Sequence, residues 1–263
     1  MNKMKILLLS TGGHIGGEET FTRTLAEALI ERGNIVMVAT GGPVQKHDLQ
    51  GRGIPVADID ITMRSVSGIL RGAINLKKYI QEIKPDIVHC QAGGPAIMGS
   101  IIKMSGGSFG EKWIYHDHGI NKTTYKWIPY FLNHLDLTIT NSDFELIKLK
   151  ANGVRDNKII RIHNGIDPNA YSFSEETRIF LRNKHRTEFG ISEDDFVLGY
   201  IGRLSPEKGC GLLLPAFRIA SENNPHMKLL IVGDGILRKK LQDEVRGSYP
   251  DHKIIFAGFR SDI

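Results

Sequence analysis

Short runs of Ile, Val and Leu alternate along the chain with longer segments in which apolar residues recur every three or four positions. The short runs are typical of strands buried in a parallel sheet, and the longer segments are typical of helices that pack on one. This alternation predicts an α/β fold with helices on both faces of the sheet. In the first half of the chain the predicted strands are Lys5–Ser10, Ile35–Thr40, Asp86–Cys90, Trp113–Asp117, Leu137–Asn141 and Lys158–His163.

The clearest helix prediction is Glu18–Arg32. Phe21, Leu25 and Leu29 recur every four residues, which places them on one apolar face of a helix. Acidic residues lie in the first turn, and Gly33 follows the last turn, where a glycine can adopt the left-handed conformation that ends a helix.

A turn signal at Asn164-Gly165 divides the chain. We therefore expect a Rossmann-like domain over residues 1–165, a linker with a connecting helix over 166–195, and a second Rossmann-like domain over 196–263. The second domain has few elements, so we expect it to be incomplete, with one sheet face lacking cover. Its predicted elements are the strands Phe196–Ile201, Met227–Val232 and Lys253–Phe256 and the helices Gly209–Glu222 and Gly235–Arg246.

Composition narrows the class of protein. With 263 residues, 41% hydrophobic and 24% charged, the chain is typical of a globular protein and not of a disordered or disulfide-stapled one. Cys90 and Cys210 have no metal or redox spacing, which favours reduced thiols and a cytoplasmic location. The net charge of +5 arises within residues 1–165 and favours an anionic ligand or membrane surface over nucleic acid. No apolar run is long enough to span a membrane.

The first strand is followed by a glycine-rich turn. Its glycines do not follow the spacing of a dinucleotide-binding fingerprint, and no Lys-Ser/Thr pair completes a P-loop. Gly16 and Gly17 open a helix, where bare backbone N–H groups can contact a phosphate. A plain glycine turn is the alternative.

Two histidines, two positions apart, lie at the end of a predicted strand. His116 and His118 therefore point to the same face of the sheet. A zinc site would need a third ligand, and none has a suitable spacing, so we expect no metal. The carboxyl end of a parallel strand is where open α/β sheets bind ligands. A buried structural role is the alternative, more for His116 than for His118.

A second strand-to-helix turn carries Arg203 and Lys208. A guanidinium, an ammonium and a helix N-terminus near one another suit a diphosphate, with solvated surface charge as the alternative. Gly233-Asp234-Gly235 repeats the arrangement of a strand, glycines and a helix one unit later.

Taken together, these segments resemble the retaining glycosyltransferases of family four, which have the GT-B fold of two Rossmann-like domains. The resemblance runs in order along nearly the whole chain. It rests on Gly16-Gly17-Glu18-Glu19, Pro85-Asp86-Ile87-Val88-His89, His118-Gly119, Asn164-Gly165-Ile166-Asp167, Gly202-Arg203, Lys208-Gly209 and Gly233-Asp234-Gly235.

The resemblance implies transfer of a sugar from a nucleotide-sugar donor, with retention of the anomeric configuration and without a metal or other cofactor. The donor would lie in the cleft between the domains. Arg203 and Lys208 would neutralise the leaving diphosphate, and His118 would hydrogen-bond the donor sugar. Gly16, Gly17, Gly233 and Gly235 would also contact the donor.

On the acceptor side the resemblance implies contacts from Glu19, His89 and Asn164. The acceptor would be a glycan or a lipid-linked sugar of cell-envelope polysaccharide or lipopolysaccharide synthesis. Gly68–Lys84 combines basic and apolar residues and could bind peripherally to the inner face of a membrane. An ordinary amphipathic helix that covers the sheet is the favoured alternative.

Two departures from the family pattern bear on activity. Gln91 and His116 stand where relatives commonly have His and Thr. The family's later βα units, with their paired glutamates, do not follow Gly258–Asp262 in this sequence. Three hypotheses therefore remain: the front portion of a transferase, with little activity by itself; a remnant that binds nucleotide weakly or not at all; and a GT-B nucleotide-sugar epimerase.

Overall fold

The computed structural model describes residues 3–12, 16–57, 59, 61, 65–119, 124–250, 253–260 and 262. The chain divides into two compact units, Met1–Ile166 and Asp167–Ile263. Within the described residues each unit is built on a parallel β-sheet with helices packed against it. The α/β prediction is confirmed.

The sheet of the first unit has seven strands in the order β3-β2-β1-β4-β5-β6-β7, and every neighbouring pair is parallel. The order reverses between β1 and β4, which is the place where open α/β sheets bind ligands. The strands are β1 (Lys5–Ser10), β2 (Ile35–Thr40), β3 (Val56–Ala57), β4 (Ile87–Cys90), β5 (Lys112–Asp117), β6 (Leu137–Thr140) and β7 (Ile159–Arg161).

Six helices belong to the described part of this unit. They are α1 (Gly17–Glu31), α2 (Pro43–Gly51), α3 (Val66–Ile83), α4 (Gly93–Met104), α5 (Ile128–Leu132) and α6 (Asp143–Ala151). Gly33 follows α1 with a φ of 82°, which confirms its predicted left-handed conformation. None of the helices in the described part of the chain is long and apolar enough to cross a membrane.

Alternating side chains of the strands pack into two separate hydrophobic cores, one on each face of the sheet. Leu7, Val88 and Trp113 are fully buried on the face covered by α3 and α4. Ile6 and Leu8 point to the opposite face and pack with residues of α1 and α2. Burial on both faces explains why these strands are near-continuous apolar runs in the sequence.

The second unit contains β8 (Phe196–Ile201), β9 (Met227–Val232) and β10 (Ile254–Gly258), in the spatial order β10-β9-β8. Its α-helices are α7 (Glu175–Glu188), α8 (Leu213–Ser221) and α9 (Arg238–Val245). One sheet face packs with α8 and α9 around Leu229 and Ile231. On the other face Val232 is 7% exposed but Ile201 is 61% exposed, so cover there is partial.

Both predicted helices of this unit begin later than expected, and α9 begins at Arg238 instead of Gly235. Residues from Gly209 onward were expected to be α-helical, but α8 begins at Leu213. Gly209 adopts a left-handed φ of 70°, and 3₁₀ turns occupy Pro206–Lys208 and Cys210–Leu212. The left-handed residue interrupts the helical path and delays the regular helix.

Candidate functional site

The carboxyl ends of three adjacent strands in the first unit carry polar side chains. Ser10 ends β1, Gln91 follows β4 and His118 follows β5. These strands lie side by side in the order β1-β4-β5, beside the point where the strand order reverses. Residues far apart in the sequence are thus brought to one edge of the sheet.

Three imidazole rings form a row on the face of the sheet that α1 covers. We call His89, His116 and His118 the histidine row. The centroids of His116 and His118 lie 4.6 Å apart with an interplanar angle of 20°, and those of His89 and His116 lie 5.7 Å apart at 8°. The strand alternation that placed His116 and His118 on one face is confirmed. The row extends back into β4 through His89.

Phe21 of α1 closes one side of this row. Its ring centroid lies 4.6 Å from that of His116 and 4.7 Å from that of His118. Phe21 belongs to the apolar stripe that the sequence predicts for α1, and this stripe holds the helix on the sheet. The contact therefore ties the position of both imidazoles to the packing of α1.

The histidine row is uncharged at neutral pH. Burial lowers the pKa of His116 to about 3 and the pKa values of His89 and His118 to about 4, because a charged imidazolium loses its hydration there. Coulombic repulsion among the rings lowers the pKa values of His89 and His116 further. These side chains can exchange neutral hydrogen bonds with a ligand, but they cannot act as cations.

His118 is held by Gln91. The Nε2 atom of His118 lies 2.9 Å from Oε1 of Gln91, whose side chain is 1% exposed. Within the described residues, the buried nitrogens without a hydrogen-bond partner include Nε2 of Gln91, Nε2 of His89 and both ring nitrogens of His116. Buried polar atoms are normally paired, so this cluster has unused capacity for water or a ligand.

The first turn of α1 lies beside the end of β1. Gly16 N–H donates to Oε2 of Glu19 at 3.0 Å, so Glu19 caps the helix. Ser10 Oγ donates to Oε1 of Glu18 at 3.0 Å, and burial raises the pKa of Glu18 to about 7. Gly17 is exposed, with nothing within 4 Å of where its Cβ would be.

The other site residue predicted in this unit lies apart from these. Asn164 is exposed and follows β7, at the end of the first unit. Among the described residues no group of three or more His, Cys, Asp and Glu side chains is arranged to hold a metal ion. His14 and its neighbours in the glycine-rich turn lie outside the described residues.

In the second unit the two predicted cations lie after β8. Arg203 and Lys208 are both exposed, and Nη1 of Arg203 lies 3.9 Å from Oε1 of Glu207. Ser205 Oγ also donates to Glu207, at 2.5 Å. Lys208 ends a 3₁₀ turn and is not at the start of an α-helix, because α8 begins only at Leu213. The helix N-terminus expected beside these cations is therefore absent from that position in the described structure.

Gly233 and Gly235 have a structural reason to be glycines. Their φ angles are 135° and 157°. A Cβ at Gly233 would overlap the carbonyl oxygen of Gly202, and a Cβ at Gly235 would lie 2.8 Å from the carbonyl carbon of Leu204. The two strand-to-helix turns of the second unit thus pack backbone against backbone, which places Gly233 beside the turn that carries Arg203.

Sequence reasoning did not assign roles to Gln91, Phe21 or Glu18. Gln91 was noted only as a departure from the family pattern, Phe21 as a core residue, and Glu18 as an acid in a first turn. Their contacts join elements that are distant in the sequence, and no local spacing reveals such contacts. The signals that pointed to this region were the position of His116 and His118 at the carboxyl end of a predicted parallel strand and the glycine-rich turn after the first strand.

Two family models match the chain in succession. Residues 15–170 match the model described as Glycosyltransferase Family 4, and residues 182–263 match the model described as Glycosyl transferases group 1. Together they span most of both units.

Among relatives, EpsD of Bacillus subtilis, a putative glycosyltransferase, is 27% identical over 72% of this chain and 51% of its own length. An Escherichia coli UDP-Gal:α-D-GlcNAc-diphosphoundecaprenol α-1,3-galactosyltransferase is 27% identical over 74% of this chain and 52% of its own. The chain thus spans about half the length of these relatives.

The fold is shared with HepE of Anabaena, whose crystal structure contains UDP-glucose. The two superpose with a TM-score of 0.80 at 24% identity, over 98% of this chain and 70% of that one. The large seven-stranded and small three-stranded parallel sheets match this GT-B architecture, with part of its second domain. From the family model that covers more than half of its residues, the chain belongs to glycosyltransferase family 4.

Proposed function

We propose that this protein transfers a sugar from a nucleotide-sugar donor to an acceptor, with retention of the anomeric configuration. The family membership and the ordered match of both family models support transfer. The UDP-glucose bound to HepE and the UDP-Gal named for the Escherichia coli relative support a nucleotide-sugar donor.

The observation that carries the proposal is the neutral His118 at the carboxyl end of β5. It lies on a sheet edge where α/β proteins bind ligands, and burial lowers its pKa to about 4. Charge develops on a sugar during transfer, and a fixed hydrogen-bonding group is an effective way to meet it. His118 would contact the donor sugar, and Gly17 would present its backbone N–H to the phosphates. The N–H of Gly16 donates to Glu19 and would have to be released to do the same.

The second unit would supply the positive charge for the leaving diphosphate. Arg203 and Lys208 are exposed cations in one turn, next to the close backbone approach at Gly233. A guanidinium grips two phosphate oxygens at once, and an ammonium adds a point charge. These two cations would neutralise the charge of the leaving diphosphate, as a metal ion could, so we propose that no cofactor is needed.

The acceptor is proposed to be a glycan or a lipid-linked sugar of cell-envelope polysaccharide or lipopolysaccharide synthesis. The Escherichia coli relative, named for a diphosphoundecaprenol-linked sugar, supports this class. Glu19, His89 and Asn164 are proposed for the acceptor side. Peripheral membrane contact would use the outer face of α3, where Leu70 and Ile74 are 49% and 56% exposed.

The test is titration of the purified protein with UDP-, GDP- and ADP-sugars by calorimetry, followed by NMR of the product anomer. We expect one donor class to bind, and Arg203→Ala to weaken its binding by at least tenfold. Arg246→Ala removes an exposed Arg, at the end of α9, and serves as the matched control.

Product with the same anomeric configuration as the donor would support retention, and inverted product would refute it. Conversion of the donor at C2 would favour an epimerase. If no nucleotide sugar binds the folded protein, the proposal fails for this chain.

A further inference from the structure

Gln91 is placed to control the proton on His118. It follows β4 directly, and its backbone N–H donates to the carbonyl oxygen of Leu9 in β1 at 2.8 Å. Its side chain is 1% exposed and faces the imidazole of His118 through Oε1. The backbone anchor and the burial leave the amide little freedom to turn away.

The geometry at this contact has a chemical consequence. An amide carbonyl oxygen only accepts hydrogen bonds, so Nε2 of His118 must carry the hydrogen across the 2.9 Å separation. A neutral imidazole carries one N–H, which leaves Nδ1 with a lone pair. Within the described residues the Gln91 contact is the one hydrogen bond that His118 makes, so Nδ1 is available as an acceptor.

The surroundings keep His118 neutral. Burial lowers its pKa to about 4, and no carboxylate is hydrogen-bonded to its ring in the described structure. The titratable rings that face it are those of the histidine row, from β4 and β5, while α1 contributes the apolar ring of Phe21. A neutral ring whose Nδ1 can only accept a hydrogen bond discriminates between ligand groups by their ability to donate a hydrogen bond.

We propose that Gln91 is a positioning residue that fixes the tautomer of His118, so that Nδ1 accepts a hydrogen bond from a ligand hydroxyl. The site then selects a neutral, hydroxyl-bearing sugar over a sugar that presents a carboxylate at the same place. A carboxylate offers no hydrogen to Nδ1, and its lone pairs and charge are repelled by the lone pair of the ring. A buried site that offers only a hydrogen-bond acceptor discriminates strongly between ligands. A ligand without a donor at that place leaves the buried acceptor unpaired. The selectivity rests on the proposed function, whereas the tautomer does not.

The first test reads the tautomer in the free protein. Two-bond ¹H–¹⁵N NMR spectra of ¹⁵N-histidine-labelled protein distinguish Nε2–H, Nδ1–H and doubly protonated rings. We expect Nε2–H for His118 at pH 7.5. An Nδ1–H tautomer would overturn the proposal without the need for any variant.

Variants then test the cause. Gln91→Glu places a carboxylate against Nε2 and should raise the pKa of His118 by about 1–3 units. Gln91→Leu removes the acceptor and should leave a mixture of tautomers. Gln81→Glu makes the same charge change at an exposed position of α3 and should leave the His118 signals unmoved. Unchanged signals in folded Gln91→Glu would refute the assignment.

The second test compares UDP-glucose with UDP-glucuronic acid, which has a carboxylate in place of the hydroxymethyl group. We expect the wild-type protein to bind UDP-glucose at least tenfold more tightly. In Gln91→Glu, at a pH below the raised pKa of His118, the protonated ring should shrink this ratio. Equal affinities in the wild-type protein would overturn selection against a carboxylate at C6 of the sugar. Failure of both to bind would overturn the proposed function and the selectivity with it, while the tautomer result would stand.

Discussion

Gly99 of α4 lies directly against the indole ring of Trp113 in β5. A Cβ at position 99 would lie 2.5 Å from Cζ3 of Trp113. The ring is fully buried, and its Nε1–H donates to Oε1 of Glu111 at 2.7 Å. Because that hydrogen bond and the surrounding core fix the indole, the absence of a side chain at Gly99 sets how closely α4 approaches the sheet.

Gly99→Ala should therefore destabilise the first unit. An added methyl group usually favours a helix by about 1 kcal/mol. Here the overlap with a fixed indole should outweigh that gain and cost about 1–3 kcal/mol. Urea unfolding monitored by tryptophan fluorescence would measure the difference, because both tryptophans, Trp113 and Trp127, lie in the first unit.

Gly51→Ala is the matched control for this change. Gly51 ends α2, and nothing lies within 4 Å of where its Cβ would be. We expect its stability to equal or exceed that of the wild-type protein. If both variants lose the same stability, close packing against Trp113 is not the cause.

Gly233→Ala should unfold or strongly destabilise the second unit. The new side chain would have to adopt a φ of 135° and overlap the carbonyl oxygen of Gly202. Hydrogen exchange of the β9 amides should therefore accelerate.

Gly211→Ala, at a glycine with open space around its Cβ, should leave this exchange slow. Unaltered exchange in Gly233→Ala would mean that the backbone of this turn relaxes easily and that the glycine serves ligand approach alone.

The strands were the most predictable part of the fold. The bounds of β1, β2, β8 and β9 agree with those predicted, because each apolar run ends at polar or glycine residues. The two-residue strand β3 was missed, since so short a run has no recognisable period. The start of α8 was misplaced, because the left-handed Gly209 breaks the helix without disturbing the apolar spacing.

The part of the site that depends on local sequence patterns was predictable, and the part that depends on long-range contacts was not. Strand alternation is local, and it correctly placed His116 and His118 on one face. The hydrogen bond from His118 to Gln91 joins β5 to β4 across 27 residues, so it depends on the order of strands in the sheet. The neutrality of the histidine row depends on burial by α1. The spacing of residues within the strands cannot predict that burial.

His116→Phe should make the protein more resistant to acid. Burial lowers the pKa of His116 from 6.5 to about 3, so between these values the unfolded chain binds a proton that the folded protein does not. Stability from this residue is present above pH 6.5 and is lost as the pH falls toward 3. A phenyl ring preserves the edge-to-face contact with Phe21 and removes the titration. Urea midpoints at pH 4.5 and 7.5 should differ less in the variant than in the wild-type protein.

His226→Phe provides the comparison, because His226 is exposed on the second unit. Its substitution should leave the difference between the two midpoints unchanged. An equal change in both variants would show that the acid sensitivity does not come from the histidine row.

Glu18→Gln should have the opposite pH dependence. Burial raises the pKa of Glu18 from 4.5 to about 7, so between these values the folded protein binds a proton that the unfolded chain does not. The stability from Glu18 is complete below pH 4.5 and is lost as the pH rises through 7. Glutamine cannot ionise and can still accept the hydrogen bond from Ser10, so the variant should gain on the order of 2 kcal/mol relative to the wild-type protein between pH 4.5 and 8.

The histidine row titrates in an overlapping range with the opposite sign, so only the difference between variant and wild type isolates Glu18. Glu31→Gln changes an exposed carboxyl at the other end of α1 and should show no such trend. A stability difference for Glu18→Gln that stays constant from pH 4.5 to 8 would show that Glu18 is ionised throughout. The carboxyl beside Ser10 would then face any ligand at this sheet edge as an anion, which would disfavour a phosphate at the start of α1.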